Sequence, residues 1–367
     1  VRVIQVNVRV PTRPPLSGPA RLVTQLVITQ GDPGGIGPEL LLRVADAGLI
    51  HAGDRVVAGR RTLAELADRL AARGATWAQR GWSLLEPHLD SGSGDPGSSG
   101  DPGSSGPPDY LGQFAALERG VDLVLGRSGT PQSGEGRDQR GSLGLVTAPI
   151  DKAVARSEGL RHPGHTEYLA ERAGVEDFAM LMAGPSIRVA LATIHLPLRE
   201  VADRLDVAAV VRAGSLLAQT LATDYKIAAP RVGVLGLNPH AGERGLLGDE
   251  EQTIVGPAIE ALRAWAATQG PPARFEGPLP ADTAFHHHQA GRLDGLVAMY
   301  HDQGLGPFKL AHFHDGVNVT LGLPFVRTSP DHGTAKDIAG QGVANIESMA
   351  AAIVLARGMA ESRARSG

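Results

Sequence analysis

A repeated change of period constrains this chain more than any other feature. Apolar runs of strand length alternate with longer segments in which apolar residues recur every three or four positions. RLVTQLVITQ reads as a strand, GDPGGIGPE as a tight loop and LLLRVADAGL as a helix. The strand RVVAG and the helix TLAELADRLAARG follow. Beyond Phe114 come the helix FAALERGVDLVLG, the strand SLGLVTAPI and a helix over His165–Ala173. RVALATIHLPL is then a strand and turn, DVAAVVRAGSLLAQTLATDY a helix, RVGVLGLNPHAGE a strand and EEQTIVGPAIEALRAWAATQG a helix. DGLVAMYHDQG is a strand, GVNVTLGLPFVRTS another extended run, and NIESMAAAIVLARGMAES a closing helix with one apolar stripe. Such alternation predicts an α/β architecture with parallel strands. At 367 residues the chain is too long for one ordinary core and suits two α/β domains.

Two segments depart from the pattern. Residues 1–21, with PTRPPLSGPAR, read as a peripheral extension, and VRVIQVNVRV lacks the apolar core of a signal peptide. Residues 91–109 repeat DPGSSG, a composition that cannot bury apolar area, and read as a flexible insertion.

Composition removes several chemistries. The chain has no cysteine, which excludes disulfides, iron–sulfur clusters, thiolate zinc sites and cysteine nucleophiles. With a net charge of −4 and mixed signs along the sequence, no nucleic-acid or membrane partner is expected. The expected location is cytoplasmic.

Three expected strands end in histidine followed by an irregular turn: ATIHLPL (His195), GLNPHAGE (His240) and MYHDQG (His301). Ligands collect beyond the carboxyl ends of strands in open α/β sheets. Three neutral imidazoles meeting there would suit a borderline divalent metal with one open position. Equally, each could cap its own strand. The conspicuous run His286, His287, His288 is discounted, because consecutive residues do not face one point, and is read as surface. The loop GDPGGIGPE has glycines at 31, 34, 35 and 37, which fit neither G-x-G-x-x-G nor a Walker loop. A tight strand-to-helix turn and a direct anion contact both remain open for it.

Several blocks in fixed order, ITQGDPGGIGPE, VTAPIDKAV, PGHTEYLA, GLNPHAGERGLLGDEE, GPLPADTAF, MYHDQGLGPFK and GVNVTLGLPFVRTSPDHGTAKDIAG, resemble the 4-hydroxythreonine-4-phosphate dehydrogenase family of pyridoxal phosphate biosynthesis. The resemblance runs from about Leu22 to the last helix. It implies two α/β/α domains like those of isocitrate and isopropylmalate dehydrogenases, with the active site in the interdomain cleft at a dimer interface. The domains would be 22–150 plus 318–367, and 151–317. It implies that His195, His240 and His301 bind a divalent metal (Zn, Co or Mg), one ligand coming from the partner subunit of a homodimer. It further implies substrate contacts by His165, Thr166, Lys309, Asn318 and Arg327. Lys309 and Arg327 would supply positive charge for a phosphate or carboxylate, although a surface salt bridge is the plain alternative for Arg327. Thr166 would equally serve as a helix cap.

A second resemblance concerns the cofactor. DHGTAKDIAGQGVAN looks like the adenosine-wrapping loop of isopropylmalate and isocitrate dehydrogenases, which makes His332, Gly333, Thr334, Ala335, Asp337 and Asn345 candidate NAD contacts. Asp337 favours NAD over NADP, because a carboxylate accepts from ribose hydroxyls and repels a 2′-phosphate. Lys336 stands where those relatives have proline.

The implied reaction is oxidation of 4-phosphooxy-L-threonine, a small phosphorylated hydroxy-amino acid, to 2-amino-3-oxo-4-phosphooxybutanoate, which decarboxylates to 3-amino-2-oxopropyl phosphate. Asp302, counted among the catalytic candidates with the three histidines, and Asp282 are candidate proton-transfer groups or partners that orient the imidazoles. Two alternatives stand beside it: a same-family dehydrogenase of a tetronate 4-phosphate or cyclic dihydrodiol, and a three-histidine zinc hydrolase.

Overall fold

The structure is a computed structural model, and it describes residues 24–90, 110–126 and 143–365. The expected extension (1–21) and insertion (91–109) lie outside the described residues.

The first part contains β1 (Gln25–Thr29), α1 (Gly37–Asp46), β2 (Arg55–Val57), α2 (Arg60–Ala72), α3 (Trp77–Leu85), α4 (Gln113–Leu125) and β3 (Leu143–Thr147). There follow α5 (Lys152–Ser157), α6 (His165–Ala173), β4 (Ala179–Ala183), β5 (Arg188–Leu191), α7 (Leu198–Arg204) and α8 (Val207–Thr223). Next are β6 (Arg231–Leu235), α9 (Gly256–Thr268), β7 (Arg274–Leu279), α10 (Ala281–Gln289), β8 (Gly295–Ala298) and α11 (His301–Ala311). The chain closes with β9 (Val317–Leu321), β10 (Val326–Pro330) and α12 (Glu347–Ala364).

These strands form one ten-stranded sheet in the order β2-β1-β3-β10-β9-β4-β5-β8-β6-β7. Its two ends are parallel, as the alternation predicts. Its centre is not: β10–β9, β9–β4 and β4–β5 are antiparallel. Residues 184–187 and 322–325 are the reason. Connections this short cannot carry a parallel crossover, so each joins a hairpin. GVNVTLGLPFVRTS is thus two strands, and AMLMA is a strand that the sequence reading passed over.

Side chains alternate across this sheet. One face feeds a continuous core with Leu26, Ile28, Val146, Leu181, Val319, Val232 and Val297, covered by helices that include α1, α8, α9 and α12. The buried residues of α12 (Met349, Ala352, Ile353, Ala356, Met359, Ala360) recur at helical spacing and form the expected stripe. The other face carries two separate clusters, one on Val27 and Leu145 under α4 and α6, the other on Met180, Leu191 and Ala298 with α10 and α11. Register links them. Val27 pairs with Leu145, Leu145 with Arg327, Arg327 with Thr320, Thr320 with Met180, and Met180 with Leu191. The apolar row is interrupted at Thr320 and Arg327, where the central strands turn polar.

The histidine run corrects the sequence reading in one respect. His286 and His287 are not deeply buried, but His288 on α10 is only 4% exposed. Its Nε2 accepts from the Arg188 amide at 2.9 Å, so Nδ1 carries the proton and donates to the Leu293 carbonyl at 2.8 Å. It ties a helix to a strand. Among the described residues no single helix is long and apolar enough to cross a membrane.

Asp54 anchors α12 to the sheet edge. Its fully buried carboxylate accepts from the Leu26 and His51 amides and pairs with Arg357 at 2.6 Å. Arg357→Ala would leave that charge buried without its cation. The expected loss is about 3 kcal/mol of unfolding free energy, measured by chemical denaturation.

Candidate active site

The polar interruption of the sheet is the floor of a cleft of about 420 Å³. Thr147 comes from the end of β3, Asn318 from β9, and Arg327 and Ser329 from β10. The walls are Lys152 at the start of α5, Gly164–Glu167 at the start of α6, His195 after β5, and Asp331–Gly333 after β10. Of the sequence-predicted residues, His165, Thr166, His195, Asn318, Arg327, His332 and Gly333 therefore share one cavity. Lys152, Glu167 and Asp331 line it too and were not singled out; the polar end of VTAPIDK was the available signal.

Arg327 sets the electrostatics. It is 2% exposed, and among the described residues its guanidinium donates only to two hydroxyls, Thr320 Oγ1 at 3.1 Å and Thr147 Oγ1 at 2.8 Å. Neither is charged. Burial pushes its pKa down to about 10, with Glu167 opposing the shift. The surface-salt-bridge reading of Arg327 is thus ruled out by position: the residue is interior and faces the cleft. Buried charge without a counter-ion is costly unless a ligand supplies one. Arg327 Nε, His165 Nε2, Asn318 Oδ1 and His332 Nε2 are all buried and have no hydrogen-bond partner within the described residues. Four such atoms around one cavity fit a polar, anionic ligand.

Histidine protonation reinforces this. Desolvation first, then the positive Arg327 and Lys152, hold His165 well below the ordinary imidazole pKa. Desolvation also lowers His332, and desolvation with Lys152 and His301 lowers His195. These imidazoles are neutral at pH 7, the form that accepts from a ligand or binds a metal.

The three strand-end histidines follow β5, β6 and β8, which are parallel neighbours, so all three leave the same sheet edge. Ala192 N and Thr193 N bond to the carbonyls of Ala298 and Met299, fastening the ends of β5 and β8 together. His195 and His301 consequently stand with ring centroids 5.7 Å apart. His301 is not the tip of a strand: β8 ends at Ala298 and His301 opens α11. Its Nδ1 bonds to Asp302 Oδ1 at 2.7 Å, which leaves Nε2 for a ligand.

His240 is placed differently. Residues 240–244 all have positive φ (51°, 52°, 75°, 43° and 62°), a left-handed turn that holds His240 exposed. For the four residues other than glycine this costs about 1–2 kcal/mol each. Among the described residues of one chain, no three His, Asp or Glu are arranged to hold an ion. Two imidazoles stand side by side and the third is exposed on another loop; imidazole nitrogens are donors of the type that suits a borderline divalent metal.

The remaining candidates separate. Lys309 bonds to the Asp331 carbonyl at 2.7 Å and its carboxylate at 2.5 Å, holding the wall of the cleft. Asp282 is exposed on the first turn of α10 and does not line the cleft. Thr334 offers its carbonyl to the Ile36 amide at 2.9 Å. Ala335 takes φ 41°, Asp337 is exposed, and Asn345 Oδ1 accepts from the Glu347 amide at the start of α12. The Gly-rich loop serves as packing for this segment. A side chain at Gly35 would meet the Thr334 carbonyl at 2.8 Å, and one at Gly31 (φ 69°) the Pro149 carbonyl at 2.2 Å. Glu39, fully buried, accepts from the Gly342 and Ala344 amides. Lys336 bridges Asp151 at 2.5 Å and Asp32 at 3.2 Å, so the departure from proline adds a tie between three loops.

Three comparisons bear on this geometry. Residues 135–356 match the family described as pyridoxal phosphate biosynthetic protein PdxA. The 4-hydroxythreonine-4-phosphate dehydrogenase of Caulobacter vibrioides is 41% identical over 92% of this chain and 98% of its own length. The crystal structure of that enzyme from Klebsiella pneumoniae superposes with a TM-score of 0.71 at 35% identity, covering 92% of this chain and 98% of the other. A terephthalate 1,2-cis-dihydrodiol dehydrogenase from Burkholderia xenovorans superposes at 0.59 with 26% identity, covering 92% and 98%.

Two outcomes are expected. A histidine with a depressed folded pKa stabilises fully above its unfolded value and loses that contribution as pH falls. Unfolding free energy should therefore decline as pH drops below 6.5, and less steeply in His165→Gln. Inorganic phosphate should raise the melting temperature of the wild type, and Arg327→Met should weaken that binding by about tenfold or more.

Proposed function

The chain belongs to the pyridoxal phosphate biosynthetic protein PdxA family, and on that premise we propose that it is an oxidoreductase acting on a CH–OH group, which oxidises 4-phosphooxy-L-threonine with NAD. The observation that carries this reading is Arg327, a buried cation with no salt-bridge partner among the described residues, in a cleft with three other unpartnered polar atoms.

In this reading Arg327 and Lys152 bind an anionic end of the substrate, and Arg327 Nε donates the hydrogen bond that no group among the described residues accepts. His165 Nε2 and Asn318 Oδ1 orient its polar substituents. His195 and His301 of one chain, with His240 from a second copy, would hold the divalent metal. The exposure of His240 and the lack of a three-ligand group among the described residues of one chain support a shared site. When bound, the cation favours loss of the substrate hydroxyl proton and NAD accepts the hydride. Asp302 fixes the His301 tautomer through Nδ1. His332 and Gly333, which line the cleft, with Thr334, Ala335, Asp337 and Asn345 beyond them, form the dinucleotide side. The cleft draws residues from both expected domains, 22–150 plus 318–367 and 151–317, and this division belongs to the same reading. The keto acid formed carries its carbonyl β to the carboxylate, so decarboxylation to 3-amino-2-oxopropyl phosphate is easy.

Similarity to a dihydrodiol dehydrogenase keeps one second reading in view, a cyclic diol as substrate. A terephthalate dihydrodiol carries carboxylates that a buried guanidinium would also bind, so the substrate assay, not Arg327, distinguishes the two readings.

Assays of NADH formation against 4-phosphooxy-L-threonine, a tetronate 4-phosphate and a cis-dihydrodiol separate these. The first should be preferred, its turnover abolished by a chelator and restored by Zn²⁺ or Co²⁺. Turnover of the diol alone would overturn the assignment.

A further inference from the structure

Two side chains outside the imidazole set meet at one residue between the loops that carry His240 and His301. Glu251, 5% exposed, accepts from the Asn238 amide through Oε1 at 2.7 Å and from Asn238 Nδ2 through Oε2 at 3.0 Å. It also fills the inside of the left-handed turn. A Cβ added at Gly242 would lie 2.4 Å from Oε2, and one at Gly236 would lie 3.0 Å from Oε1. Gln303 approaches Gly236 from the other side. Its Nε2 donates to the Gly236 carbonyl at 2.7 Å, while its Oε1 accepts from the Met299 amide at 2.7 Å. Met299 is the first residue after β8, and Gln303 lies in the first turn of α11, two residues beyond His301.

A continuous path therefore runs from Met299 through Gln303 to Gly236, and from Gly236 past Glu251 to Asn238 and the turn that presents His240. Four strained residues within a run of five persist only where their surroundings over-determine them, and Glu251 is the group that does so from within. An amide using both its ends fixes both position and rotation of the helix start that bears His301.

We propose that Glu251 and Gln303 are positioning residues that preset His240 and His301 for cation binding. Neither reaches the ion. Because His240 points away from its own chain, the same brace couples the imidazole a chain keeps to the one it lends. The inference rests on the metal reading above, and the test separates the two.

The test is Co²⁺ affinity by equilibrium dialysis together with the visible absorption of the Co²⁺-loaded protein. Glu251→Ala and Gln303→Ala should each weaken binding by about 10–100-fold and change the absorption bands. Glu251→Gln, which keeps the shape and one acceptor oxygen, should recover part of the affinity and carries the test should Glu251→Ala not fold. Arg363→Ala is the control: it breaks the remote buried pair with Asp224, and should lower the melting temperature without changing Co²⁺ affinity or spectrum. Wild-type affinity and spectrum in both alanine variants, or an equal loss in the control, would overturn the proposal. A wild-type protein that binds no Co²⁺ would instead overturn the metal reading beneath it.

Discussion

A guanidinium buried in a β-sheet and hydrogen-bonded to two hydroxyls organises the rest of this molecule. Arg327 occupies a position in a cross-strand row whose other members are Val27, Leu145, Thr320, Met180 and Leu191. Apolar residues at Arg327 and Thr320 would join two clusters into one core. Charge at that point keeps them apart, and the space between them is the cleft. The cost of desolvating Arg327 is offset only in part by Thr147 and Thr320, so the site is poised for an anion.

The antiparallel centre of the sheet is what makes such a floor possible. Strands covered on both faces by helices read as continuous apolar runs, whereas VNVTL and VRTSP alternate. Val317, Val319 and Val326 face the main core, while Asn318 and Arg327 line the cleft and Thr320, paired with Arg327, shares their face of the sheet. Two short hairpins place these strands side by side. The parallel ends of the sheet then supply the chemistry of their carboxyl edges, with β5, β8 and β6 each followed by one histidine.

Much of this was legible in the sequence. The period changes located most helices and the parallel strands, and the blocks around His165, Asn318 and Arg327 named residues that share the cavity. What the sequence did not reveal depends on long-range pairing. Nothing local in AMLMA or in LGLPFV states that each belongs to a hairpin. The role of Gln303 depends on a carbonyl 67 residues away, and that of Glu39 on amides more than 300 residues away. The burial of His288 follows from a strand amide 100 residues distant. The glycines of GDPGGIGPE look like an anion cradle until the Thr334 carbonyl is seen to occupy the space beside Gly35.

The central claim is that the cleft exists to neutralise Arg327 with the substrate. A crystal structure of the protein with 4-phosphooxy-L-threonine tests it most directly. The account predicts a phosphate or carboxylate oxygen within hydrogen-bond distance of Arg327 Nε, with His165 and Asn318 also bonded to the ligand. Substrate bound elsewhere, or seated in the cleft with Arg327 Nε still unpartnered, would contradict it.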